Sequence, residues 1–131
     1  RRHADGEVCI ARLLIVADSQ TDISVLSGML ERAGFQTSSA SSAEEGIARA
    51  RAELPDLILM DVVMPGTNGF QATRILSRDP GTSAIPVIIV TTKNMETDRI
   101  WGMRQGAKDF ISKPPNERDL VARIQTLLKP S

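Results

Sequence analysis

The run Leu57-Ile58-Leu59-Met60-Asp61 constrains the fold more than any other stretch of this chain. Continuous apolar character leaves no polar face, which is the pattern of a strand buried on both sides. Pro65 and Gly66 then break regular structure. Asp61 therefore sits where a buried strand emerges. In an open parallel sheet, the crevice beyond the carboxyl ends of the strands is where ligands and chemistry collect.

The rest of the chain supplies the neighbours such a strand needs. Residues 1–11 have mixed charge and little periodicity and read as a flexible lead-in, with the domain proper over 12–129. Arg12 to Ala17 is a first buried strand, followed by a helix from Gln20 to Ala33 with Ser19 as cap and Gly34 as terminator. Ile23, Leu26, Leu30 and Ala33 form its apolar face. Phe35 to Ala40 is a polar strand suited to a sheet edge. Ser42, with Glu45 at capping-box spacing, starts a helix whose apolar side is Ile47, Ala50 and Leu54. After the central strand come a helix over Gly69–Arg78 and a strand over Ile85–Val90. A helix over Glu96–Gln105 follows, with Ile100 and Met103 inward and Trp101 partly outward. A strand over Ala107–Ile111 and a helix over Glu117–Leu128 complete the chain, the last with Leu120, Ile124, Leu127 and Leu128 as its stripe.

Strands joined by helices are parallel, through right-handed crossovers. The expected fold is a single doubly wound α/β domain of five strand–helix units, with helices on both faces of the sheet. Lys plus Arg equals Asp plus Glu, 16 of each, so no excess of positive charge supports direct nucleic-acid binding. No apolar run reaches the length of a membrane span. The one cysteine, Cys9, has no internal partner, which favours a cytoplasmic setting and an inert thiol, and His3 on a polar segment reads as solvated rather than metal-binding.

The strand ends carry the chemistry. Asp18 follows the first strand, Asp61 the third, Thr91 the fourth and Lys113 the fifth. Taken singly, an Asp at a strand end is a helix cap and a Thr or Lys is surface. Together they are a phosphoryl-transfer set. Two carboxylates suit Mg²⁺, which takes one or two carboxylates with waters and phosphate oxygens. The lysine is a compact charge for an anion and the threonine a hydroxyl donor. An aspartate can itself accept the phosphoryl group, and Asp61, leaving the central strand, is the better acceptor, with Asp18 as metal ligand.

The motifs Leu-Leu-Ile-Val-Ala-Asp, Leu-Met-Asp-Val-Val-Met-Pro-Gly, Val-Ile-Ile-Val-Thr-Thr and Gly-Ala-Lys-Asp-Phe-Ile-Ser-Lys-Pro, in this order, resemble the receiver domains of two-component response regulators, the CheY-like family. The resemblance covers Arg12 to Lys129. It implies a flavodoxin-like sheet of strand order 2-1-3-4-5. It implies Asp61 as phosphoacceptor, with Asp18, Asp61 and the Val63 carbonyl as Mg²⁺ ligands, and Thr91 and Lys113 on the phosphoryl group. Phe110 matches the switch aromatic that turns inward when Thr91 shifts, and the Lys113–Pro114 bond is expected to be cis. Val63 and Lys93 fall where the family tunes access of hydrolytic water. Implied partners are a sensor histidine kinase or phosphotransfer protein and a downstream protein bound by the fourth helix, fifth strand and fifth helix. Such a domain is not a classical enzyme; it catalyses at most its own phosphorylation and dephosphorylation. The run Asn68-Gly-Phe-Gln-Ala-Thr-Arg with Val90-Thr-Thr-Lys is similar to stand-alone regulators of twitching motility and type IV pili.

One position departs from the pattern. The family has two adjacent acids after the first strand; here they are Ala17 and Asp18. The loss implies a weaker Mg²⁺ site and leaves as alternative a degenerate receiver, a protein-interaction module that works without phosphorylation. A haloacid dehalogenase-type hydrolase needs an Asp-x-Asp pair, which Asp61-Val62-Val63 lacks. No Gly-rich loop follows the first strand to cradle a nucleotide phosphate.

Overall fold

The computed structural model describes residues 10–64, 66, 68–92 and 95–128. His3, Cys9, Pro65, Lys93 and most of the N-terminal lead-in lie outside the described residues, and so does Lys129. The elements are β1 (Arg12–Val16), α1 (Gln20–Arg32), β2 (Gln36–Ala40), α2 (Ala43–Glu53), β3 (Leu57–Met60), α3 (Gly69–Arg78), β4 (Val87–Thr91), α4 (Glu96–Arg104), β5 (Asp109–Ser112) and α5 (Glu117–Leu128). The strands form one parallel sheet in the order β2-β1-β3-β4-β5, with β3 at its centre. All four residues of β3 are buried, as the apolar run requires.

Strand alternation sorts the core onto two faces. Leu13, Ile15, Leu57, Leu59, Ile88, Val90 and Ile111 pack with Ile23, Leu26 and Leu30 of α1 and Leu120 and Ile124 of α5. The alternate residues Leu14, Val16, Ile58 and Met60 pack against α2 and α3. Ile89 and Phe110 continue that second face with Val62 and Phe70. The chain runs from β1 outward to β2, then crosses to β3 on the other side of β1. The switch point therefore lies between β1 and β3, beside the carboxyl end that carries Asp61.

Several local expectations are corrected. On α4, Ile100 and Met103 are exposed, not inward, and only Gly102 is buried. A β-carbon at 102 would press on Ile89, Phe110 and Phe70, so α4 approaches the sheet on a glycine and its larger residues turn away from the contact. Trp101 is half-exposed, in line with the sequence reading. Leu54 is no core residue: it caps α2 in the left-handed conformation (φ 48°) and is exposed. The Ser42 hydroxyl accepts the Glu45 N–H, but the Glu45 carboxylate accepts from the Ser41 backbone and hydroxyl, one residue before the expected capping-box partner. β4 starts at Val87 rather than Ile85, because Pro86 has no N–H for the ladder, although its carbonyl accepts from Ile58. β5 starts at Asp109 because the Ala107 N–H is committed to Gly102 at the end of α4. Gly34 adopts φ 95° after α1, the role assigned to it.

Candidate functional site

Asp61 is placed by a backbone hydrogen bond to β1. Its N–H donates to the Val16 carbonyl at 2.9 Å, which extends the β1–β3 ladder one residue past the strand. It continues the alternation of Leu57 and Leu59, so its side chain belongs to the α1/α5 face. The carboxylate is 8% exposed and held at both oxygens. Oδ1 accepts the Val63 N–H at 3.1 Å, and Oδ2 accepts the Lys113 ammonium at 2.7 Å.

Lys113 reaches it from the end of β5. Its backbone N–H donates to the Thr91 carbonyl at 2.9 Å, and it continues the alternation of Ile111 on the same face. The following Lys113–Pro114 bond is cis, as the resemblance implies. The lysine side chain is 11% exposed. Burial works against its charge, but the hydrogen bonds it donates to Asp22 and Asp61 outweigh that cost and raise its pKa above the ordinary lysine value.

Of the remaining expected residues, Val63 contacts Asp61 directly and the others are placed by their elements. Thr91 closes β4, next to β3, and is fully buried. Asp18 lies on an exposed bend two residues beyond Val16, whose carbonyl holds Asp61. Val63 is half-exposed and tied by its N–H to the carboxylate it follows. Phe110 is 5% exposed and already lies inward, packed with Val62, Phe70 and Ile89. It pairs with Ile89 while Thr91 pairs with Ser112, so Thr91 and Phe110 are neighbours on the α4 face of the sheet. Ala17 is buried in the α1/α5 core, a hydrophobic contact where the family pattern has an acid.

One residue of the site escaped the sequence reading. Asp22, in the first turn of α1, accepts the Lys113 ammonium at 2.6 Å on Oδ2. An acid in a first helical turn reads as dipole compensation. The available signal was its place beside Ile23 on the helix that covers this face.

As a cation site, the arrangement offers the Asp18 and Asp61 carboxylates at adjacent strand ends and the backbone of the β3–α3 loop. Among the described residues no group of three or more His, Cys, Asp or Glu side chains gathers to hold a metal. Two carboxylates with a carbonyl fit Mg²⁺, a hard ion that keeps several waters, and do not fit a metal that needs a full protein cage.

Comparison with known proteins agrees with this geometry. Residues 13–125 match the response regulator receiver domain model. The chain is 56% identical over 119 residues to Protein PilH of Pseudomonas aeruginosa, spanning 91% of this chain and 98% of that one. It is 39% identical to the response regulator PleD of Caulobacter vibrioides and 36% identical to the phosphate regulon transcriptional regulatory protein PhoB of Escherichia coli. It spans 26% of the former's length and 52% of the latter's. Among solved structures, chemotaxis protein CheY4 of Vibrio cholerae superposes with a TM-score of 0.85 at 28% identity, covering 92% of this chain and all of that one. A CheY-like receiver domain protein from Methanospirillum hungatei gives 0.84 at 28% identity, with 92% and 94% covered.

Proposed function

Because the chain belongs to the response regulator receiver family, we propose that it accepts a phosphoryl group on Asp61 from a sensor histidine kinase or phosphotransfer protein. The observation that carries this reading is the enclosed Asp61 carboxylate with the Lys113 ammonium 2.7 Å from it, beside the switch point of the sheet. A carboxylate oxygen forms the new bond to phosphorus as the bond from phosphorus to the donor nitrogen breaks, and that nitrogen keeps the electron pair. Val63 N–H and Lys113 orient the acceptor, and the ammonium offsets charge that builds on the phosphoryl oxygens. Asp18, Asp61 and the Val63 carbonyl would hold Mg²⁺, which supplies further neutralisation of the phosphoryl oxygens when bound.

The output follows from the shared face of Thr91 and Phe110. A shift of the Thr91 hydroxyl toward a phosphoryl group changes the packing next to Phe110 and α4, and the face of α4, β5 and α5 then binds a downstream protein. The likeness to PilH and the motif from Asn68 to Arg74 support a role in twitching motility, in the cytoplasm. No helix among the described residues is long and apolar enough to cross a membrane.

A second reading has its own support. Ala17 is a buried hydrophobic contact where the family pattern has an acid. That favours a receiver that holds one conformation and binds its partner without phosphorylation. Treatment with a small-molecule phosphodonor, with and without Mg²⁺, separates the two. Mass spectrometry shows an acyl phosphate on the wild type and none on Asp61→Asn if the first reading holds.

A further inference from the structure

The Lys113 ammonium is held by two carboxylates from different elements. Asp61 approaches from the end of β3 and Asp22 from the first turn of α1, at 2.7 and 2.6 Å. A lysine carries its charge on a long flexible stem, so a single contact sets the ammonium's distance but leaves its direction loose. A second, non-reacting contact removes that freedom. Asp22 is suited to provide it, because its own place is fixed. Its N–H is bonded to the Ser19 hydroxyl at 3.3 Å, and the next residue, Ile23, is buried in the core. Asp22 is also the more exposed carboxylate, with its side chain 37% accessible against 8% for Asp61.

We propose that Asp22 is a positioning residue for phosphoryl transfer to Asp61: it engages one N–H of Lys113 so that the others face the acceptor and the incoming phosphoryl oxygens. An ammonium has donors enough for both tasks. Asp22 acts through Lys113 and touches no reacting atom. This inference rests on the reading of Asp61 as phosphoacceptor.

The test is phosphorylation of the full chain by acetyl phosphate in millimolar Mg²⁺, with the rate followed against donor concentration. Asp22→Asn lowers the maximal rate about tenfold, with the half-saturating acetyl phosphate concentration unchanged. Asp22→Glu recovers most of the loss. In a Lys113→Gln background, Asp22→Asn has no further effect, whereas a purely structural role would persist there. A second measurement needs no metal: in protein with isotope-labelled lysine, the Lys113 ammonium gives a sharp NMR signal in the wild type and a broadened one in Asp22→Asn. An unchanged rate and signal in Asp22→Asn, or the same loss in both backgrounds, overturns the positioning role alone. A wild type that takes up no phosphoryl group overturns it together with the reading of Asp61.

Discussion

Gly69, the first residue of α3, lies so close to Asp61 that a β-carbon at position 69 would run into the Asp61 carbonyl oxygen. The helix is capped there by Asn68, whose side chain accepts the Gln71 N–H, and Thr73 binds back to the Gly69 carbonyl. The end of α3 is thus packed directly on the backbone that presents the Asp61 carboxylate.

Gly69→Ala is expected to lower stability by about 1–3 kcal/mol, the usual cost of forcing extra volume into a packed site. It also displaces Asp61 from Lys113. Denaturant titration reads the first effect, and phosphodonor labelling reads the second as a slower rate in protein that is still folded.

Lys113→Gln leaves a largely buried Asp61 carboxylate that keeps, among the described residues, the Val63 N–H. The expected loss is about 1–3 kcal/mol, the cost of an unsatisfied buried acceptor. It stays below that of breaking a fully buried pair because Asp22 is partly in water. Asp61→Asn costs less than Lys113→Gln, since Lys113 keeps Asp22. Equilibrium unfolding of the two variants side by side gives the order.

The raised pKa of Lys113 sets a pH dependence. Below the ordinary lysine value of 10.5 the side chain is protonated whether folded or unfolded, and its contribution to stability is fully present. Above 10.5 the unfolded chain releases the proton first, and the contribution is lost as pH rises through the folded value. The difference in unfolding midpoint between wild type and Lys113→Gln is therefore level from neutral pH up to 10.5 and shrinks above it.

Leu54 offers a gain. A leucine in the left-handed region pays a steric cost that glycine avoids, and here its side chain is exposed and buries little. Leu54→Gly raises stability by about 0.5–1 kcal/mol, the steric relief exceeding the extra entropy of the unfolded chain. Thermal unfolding checks it.

Much of this was legible in the residues themselves. The five strands are short apolar or β-rich runs with turn residues between them, and continuous apolar character marked β3 as buried on both faces. The pairing of Asp61 with Lys113 was legible because both stand immediately past strand ends. What escaped depended on tertiary contact. Ile100 and Met103 have helical spacing for a core stripe, but α4 meets the sheet through Gly102, a contact that hydrophobic pattern does not score. Leu54 counted as apolar in pattern while the helix had already ended beneath it. Asp22 was separated from Lys113 by most of the chain and met it only once α1 lay across that face. The strand order followed from family resemblance, because periodicity carries no information on which strands are neighbours.

The most direct measurement of the central claim is intact-protein mass spectrometry after acetyl phosphate treatment of the wild type and Asp61→Asn, with and without Mg²⁺. Phosphoryl transfer to Asp61 predicts a single added phosphoryl group on the wild type, dependent on Mg²⁺ and absent from Asp61→Asn. No adduct on folded wild type at millimolar Mg²⁺, or an equal adduct on Asp61→Asn, would contradict it.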